Sequence, residues 1–174
     1  MAKTDLNALR AMVHFITRKY ALEPDKLGST KLHKILWWTE IRTLARLNQQ
    51  AANETFRKKP FGPFSDHLNT VVEELVNEGK LTVRPSTEDF EVALYVGKGE
   101  ADRSALTDEQ WRILEDVAEW IVRSHTANSA SEKSHGPVWE AVDLEKPMPV
   151  EAAAIRIAKT GERVREKFKA ALAH

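Results

Sequence analysis

The sequence predicts a mainly α fold of the α+β kind: a compact bundle of about six helices with one small β-hairpin near residues 80-96. Three observations carry this. Apolar residues recur at spacings of three and four through most of the chain, the signature of amphipathic helices. Helix punctuation, in the form of capping residues, glycines and prolines, separates those stretches at domain-like intervals. Valine, leucine, phenylalanine and tyrosine crowd together around a turn only once, near residues 80-96. With 174 residues, 42% hydrophobic and 30% charged, the chain has the size and composition of one domain, residues 1-174, around one core.

Leu6, Leu9, Val13, Ile16 and Tyr20 form one stripe of a first helix that stops before Pro24. Gly28, Ser29 and Thr30 offer a break and a capping hydroxyl for a second helix. Its spacing puts Leu32, Ile35, Leu36 and Leu44 inward and Lys31, Lys34, Arg42 and Arg46 outward. Trp37 and Trp38 sit side by side at its centre, about 100° apart, so both cannot face the same core. Residues 56–64 join Arg57-Lys58-Lys59 to Pro60-Phe61-Gly62-Pro63-Phe64, and the prolines and glycine read as a turn.

Ser65 is placed to cap a third helix with Leu68, Val71, Val72, Leu75 and Val76 inward, ending at Gly79. Residues 80–84 and 90–96 then flank the turn at 85–89 as a β-hairpin, the only sheet expected. Thr107-Asp108-Glu109-Gln110 reads as a capping box for a fourth helix through Trp111, Leu114, Ala118, Ile121 and Val122, which ends over residues 125–128. In residues 129–143, Ser131, His135 and Trp139 lie four apart but Gly136-Pro137 intervenes, so a short helix and a kinked turn are expected. Pro149 starts a last helix, whose Val164, Phe168 and Leu172 mark an amphipathic tail.

Composition excludes much chemistry. There is no cysteine, hence no disulfide, thiolate zinc site or cysteine nucleophile. The start leads into an amphipathic pattern bearing Arg10, Arg18 and Lys19, not a signal peptide, and no window reaches the roughly 18 apolar residues of a membrane span. A cytoplasmic protein is the expectation. No His pair has zinc-protease spacing, and His125 and His135 lie ten apart across a loop with no evident carboxylate partner. Neither a phosphate-binding nor a dinucleotide glycine pattern occurs, and a Ser131–His135 pair would lack an orienting carboxylate and an oxyanion hole. Catalytic residues, metal ligands and cofactors are therefore expected to be none.

Net charge is zero but uneven: residues 1–60 carry 12 Lys or Arg against 5 Asp or Glu, and residues 61–124 carry 6 against 14. The favoured reading is that the basic third packs beside the acidic middle; the other is a basic partner-binding face.

Three motifs stand in order: Lys31-Leu32-His33-Lys34-Ile35-Leu36-Trp37-Trp38, then Phe61-Gly62-Pro63-Phe64 before a helix, then Ser131, His135 and Trp139. This combination resembles the Panacea antitoxin domain, also called SocA-like, over roughly residues 6–170. Members of that family show a Lys-Leu-x-Lys-Leu-Leu-aromatic helix, a Gly-Pro loop leading into the next helix, and a late Ser-x-x-x-His followed by Trp. Ile35 replaces the usual second leucine, and Gly136-Pro137 makes a tighter connection before Trp139 than the family pattern suggests. The resemblance implies a helical antitoxin that neutralises a co-encoded protein toxin by direct contact, without enzyme activity. In some members it also implies delivery of the toxin to a protease, and phage and mobile-element proteins contain the domain too. Lys31, Leu32, Lys34, Gly62, Pro63, Ser131, His135 and Trp139 would be its structural motif residues.

A binding surface needs a few large apolar or arginine anchors within a polar rim. Candidates for partner contact are Trp37, Trp38, Phe61 and Phe64 beside Arg57, Lys58 and Lys59. His135 and Trp139 read instead as pins for the last helices on the second. Two alternatives stand beside the antitoxin. One is a DNA-binding regulator, suggested by the basic first third and a winged-helix-like order; zero net charge and Glu88, Asp89 and Glu91 in the hairpin weigh against it. The other is a proteolytic adaptor or phage-encoded host-interaction protein using the same surface.

Overall fold

A computed structural model describes residues 2–86 and 93–173. Among them are seven helices: α1 Leu6–Lys19, α2 Gly28–Leu47, α3 Leu68–Asn77, α4 Asp108–Ser124, α5 Ala127–Ser134, α6 Pro137–Ala141 and α7 Val150–Leu172. Five strands complete the chain: β1 Phe56–Lys59, β2 Gly62–Ser65, β3 Leu81–Pro85, β4 Ala93–Gly97 and β5 Pro147–Met148. The mainly α architecture expected from the periodicity is the one found. No described helix is long and apolar enough to cross a membrane.

The bundle is organised around α2, which touches α4, α5, α7 and β2. It is therefore buried on all sides over most of its length, including Lys31, His33, Lys34, Thr39, Glu40 and Thr43. This corrects the outward placement of Lys31 and Lys34: a helix enclosed by four neighbours has no solvent face for them. Each cation survives burial by donating to backbone, Lys31 to the carbonyls of Lys26 (2.8 Å) and Val122 (3.3 Å), and Lys34 to that of Pro63 (3.1 Å). Thr39 and Thr43 bond back to carbonyls four residues earlier at 2.7 and 2.9 Å.

Helix ends follow local chemistry with two exceptions. Asp5 caps α1, and the Thr107–Gln110 box caps α4 as expected; a second box, Thr126–Ser129, starts α5. α2 has no side-chain cap, its N-cap being Leu27, so the hydroxyls of Ser29 and Thr30 do not play that part. Ser65 does not cap α3 either; it lies in β2, and His67 is the N-cap. The far end of α3 is as read, with Gly79 at φ +71 and the Lys80 N–H reaching the Leu75 carbonyl at 2.8 Å.

The expected hairpin is β3–β4, antiparallel with Leu81 opposite Gly97 and Val83 opposite Tyr95. Its turn, with Glu88, Asp89, Phe90 and Glu91, lies outside the described residues, as do the side chains of Val164 and Phe168 in the tail. Gly97 seats β4 directly on α1, because a Cβ there would stand 2.4 Å from the Arg18 nitrogen.

A second sheet was not expected. Residues 56–64, read as a turn, are a tight hairpin: β1 and β2 pair antiparallel, Phe56 with Ser65 and Lys59 with Gly62, and β5 adds to the other side of β1. Prolines misled the reading because Pro63 sits on β2, the edge of the β2-β1-β5 sheet, where a missing N–H costs no ladder bond. The basic third does face the acidic middle: Arg10 pairs with Glu78, Lys19 with Glu115 (3.0 Å) and Glu119 (3.3 Å), and Arg57 with Asp66 (2.9 Å).

Candidate functional site

Lys34, Gly62, Ser131 and Trp139, spread over more than a hundred positions of sequence, converge on the turn of the β1–β2 hairpin. Three side chains from three helices each donate to a different carbonyl of that turn. Lys34 of α2 takes Pro63 at 3.1 Å, Ser131 of α5 takes Phe61 at 2.7 Å, and the Trp139 indole of α6 takes Lys59 at 3.2 Å. Gly62 fits between them only because it lacks a side chain: its φ is +100, and a Cβ would stand 2.3 Å from the Ser134 hydroxyl and 2.9 Å from Lys34 Cε.

A further layer locks the helices behind the turn. Ser134 donates to the Ser131 carbonyl at 2.6 Å. His135 stacks on Trp139 with ring centres 3.9 Å apart and planes at 13°, while Lys58 Nζ lies 4.0 Å from the same ring and donates to the Val142 carbonyl at 2.7 Å. His33 accepts the Ser65 N–H on Nδ1 at 3.0 Å, so its proton sits on Nε2, and its ring packs on Phe64 at 3.9 Å. Buried Glu54 accepts from the Ser65 hydroxyl (2.7 Å) and the His67 N–H (2.9 Å).

Burial dominates the electrostatics here. It holds Lys34 down to about 7, and with help from the Lys34 charge holds His33 down to about 3. His135 is lowered by burial first and Lys34 second. On the opposite side of α2, burial pushes the Glu40 carboxyl up to about 8; one of its oxygens accepts the Ala52 N–H at 2.8 Å. None of this arms a nucleophile, since Ser131 and Ser134 both donate to backbone carbonyls. His125 bonds Ser129 at 3.1 Å and lies edge-on to Trp120, so it does not meet His135.

The expected contact residues divide. Phe61 is 71% exposed at the hairpin tip. Trp37 is 2% exposed and meets Phe56 edge-on, so only Trp38 of the pair reaches the surface, half-buried against Trp120. Phe64 is half-buried on His33. The basic run is not a free patch: Arg57 is bound to Asp66, Lys59 to Glu145, and Lys58 to Val142 and Trp139. Leu32 is core.

Beside the turn opens a cleft of about 610 Å³ between α2, the α5–α6 corner and α7. Its walls include Trp37, Trp38, Ile41, His135, Trp139 and Ile157. Two ring nitrogens in these walls, Trp38 Nε1 and His135 Nε2, are buried with no partner among the described residues. The α7 side of the cleft, with Ala153, Arg156 and Ile157, escaped the sequence reading; its only signal is the four-residue step from Ala153 to Ile157, continued by Gly161.

Compared with protein-family models, curated proteins and solved structures, the chain matches none.

Proposed function

We propose that the chain is an antitoxin that neutralises a co-encoded protein toxin in the cytoplasm by direct binding, with no catalytic step and no cofactor. One observation carries the reading: Phe61 stands 71% exposed on a turn whose carbonyls at 59, 61 and 63 are each held by a side chain from a different helix. A large apolar side chain displayed on a rigid mount is what a hot spot requires, because little ordering entropy is lost when a partner closes over it. The tryptophan-lined cleft next to it extends the apolar area. Delivery of the bound toxin to a protease would use the same surface. Duplex DNA fits less well, since Lys31 and Lys34 are buried and Arg10, Lys19, Arg57 and Lys59 are paired with carboxylates.

The test is growth. Expression of the protein encoded by the adjacent reading frame arrests cells, co-expression of this chain relieves the arrest, and Phe61→Ala abolishes relief while shifting stability by less than about 0.5 kcal/mol. A harmless neighbour, or full relief by the variant, overturns the reading.

A further inference from the structure

The cleft beside the hairpin does not end at Trp38. A second depression of about 510 Å³ continues along α2 between Trp38, Arg42, Ala45, Arg46, Trp120, Lys133 and Ile157. The two share Trp38, Lys133 and Ile157, so they form one groove crossing Trp38.

The groove is apolar in its floor and positive along its rim. Lys133 and Arg156 border the first part, Arg42 and Arg46 the second, against the single carboxylate of Glu140. Among the described residues none of these four cations has a carboxylate within ion-pair distance, whereas Arg10, Lys19, Arg57, Lys59 and Arg123 elsewhere do. Asp116 acts on Arg42 only from beyond that distance, and burial together with the neighbouring Arg46 charge lowers Arg42 below the usual arginine range. Covering such a rim with a neutral or basic surface would desolvate like charges without compensation; covering it with carboxylates relieves them.

Three of the groove's four tryptophans are packed against other side chains of the chain, an arrangement that disfavours stacking of successive bases. Trp139 is covered by His135 and Lys58, Trp120 by Arg42 at 4.6 Å with Trp38 and His125 edge-on, and Trp37 is buried against Phe56. Base recognition in single strands needs free ring faces.

Resting on the antitoxin reading above, we propose that the groove receives an acidic amphipathic helix of the partner protein. Its apolar face lies on Trp38, Ala153 and Ile157, and its flanking carboxylates meet Lys133, Arg156, Arg42 and Arg46.

The probe is a fluorescein-labelled peptide of about 16 residues with leucines at i, i+3, i+4 and i+7 spacing and glutamates flanking them. It is titrated with the full chain and followed by anisotropy, beside a lysine-for-glutamate version and an oligothymidine of similar length. The acidic peptide binds; the double variant Lys133→Glu/Arg156→Glu weakens it at least about tenfold with an unchanged unfolding midpoint, and the other two probes bind at least about tenfold more weakly. Equal binding of both peptides, tighter binding of oligothymidine, no binding of the acidic peptide, or an indifferent double variant each overturns the proposal. Growth assays separate its failure from that of the antitoxin reading. If the double variant still relieves arrest while Phe61→Ala does not, the groove proposal falls and the antitoxin reading stands. If the wild-type chain relieves nothing yet binds the acidic peptide through Lys133 and Arg156, the reverse holds.

Discussion

Replacing Gly62 by alanine tests the convergence of the motif residues most directly, because no hydrogen-bonding group is removed and only one methyl is added. The added carbon meets three costs. At φ +100 an L-residue is strained by about 1–2 kcal/mol. The new methyl would stand 2.3 Å from the Ser134 hydroxyl, which must rotate away from the Ser131 carbonyl it now bonds at 2.6 Å, losing about 1 kcal/mol. It would also stand 2.9 Å from Lys34 Cε, pressing a buried ammonium off the Pro63 carbonyl for about 1 kcal/mol more. The expected loss is about 3 kcal/mol, a large fraction of ordinary domain stability. In urea, followed by the fluorescence of the five tryptophans, a slope of about 2 kcal/mol/M makes this a midpoint shift of about 1.5 M. The second variant Ser134→Ala removes the nearest obstacle, so Gly62→Ala should cost about 1 kcal/mol less in that background than in the wild type. A midpoint shift under about 0.4 M, or strict additivity of the two substitutions, refutes the packing argument.

The other expectations concern the same neighbourhood. Trp139→Phe keeps an aromatic ring on His135 but removes the indole donor to the Lys59 carbonyl; urea unfolding should show a loss of about 1 kcal/mol, and no loss would mean the turn is not held from α6. His33 gives a pH dependence whose sign follows from its low folded value of about 3. Between about 3 and 6.5 the unfolded chain binds a proton that the folded chain refuses, so this stability is present above about 6.5 and drains as pH falls, by about 1.4 kcal/mol per pH step. His33→Asn retains an acceptor for the Ser65 N–H and does not titrate. Between pH 7 and 5 the wild type should therefore lose about 2 kcal/mol more than the variant. Glu40, pushed up to about 8, titrates in both proteins and cancels from the difference. Parallel pH profiles would show that His33 is not excluded from protonation by the fold.

The helices were legible because their signals are local. The spacing of Leu9, Val13 and Ile16, the Thr107–Gln110 box and Gly79 beyond α3 each act within a turn or two of chain, and each is found in place. What was illegible depends on neighbours distant in sequence. Lys31 and Lys34 read as outward because a periodicity argument assumes one solvent face, and α2 has none where α4, α5, α7 and β2 enclose it. The β1–β2 hairpin hid behind two prolines because strand position, edge or centre, is decided by β5 some ninety residues later. The Arg57-Lys58-Lys59 run looked like a free basic patch because Asp66, Glu145 and Trp139, which occupy it, come from other elements. Phe61 was singled out and is exposed, but nothing in its own neighbourhood shows how it is mounted.

That mounting has a consequence for how the surface can work. Lys34, Ser131 and Trp139 all grip backbone carbonyls, and a carbonyl is present whichever residue supplies it. Gly62, lying between the gripped positions, is the one constrained in side chain by its φ and by Ser134 and Lys34 packed around it. The side chain at 61 is free of the hold and points its exposed ring outward. Mount and exposed side chain are thereby separated: on the proposed reading, a change of the tip residue would alter what a partner meets without loosening the turn, whereas a change in the grip would loosen the turn without altering its chemistry. Trp139 of the grip, and Ser134 packed behind the turn, also line the adjacent cleft, so the two apolar surfaces share one wall. A partner lying across both would read their relative position as well as their composition, and the shared wall is what keeps that position fixed.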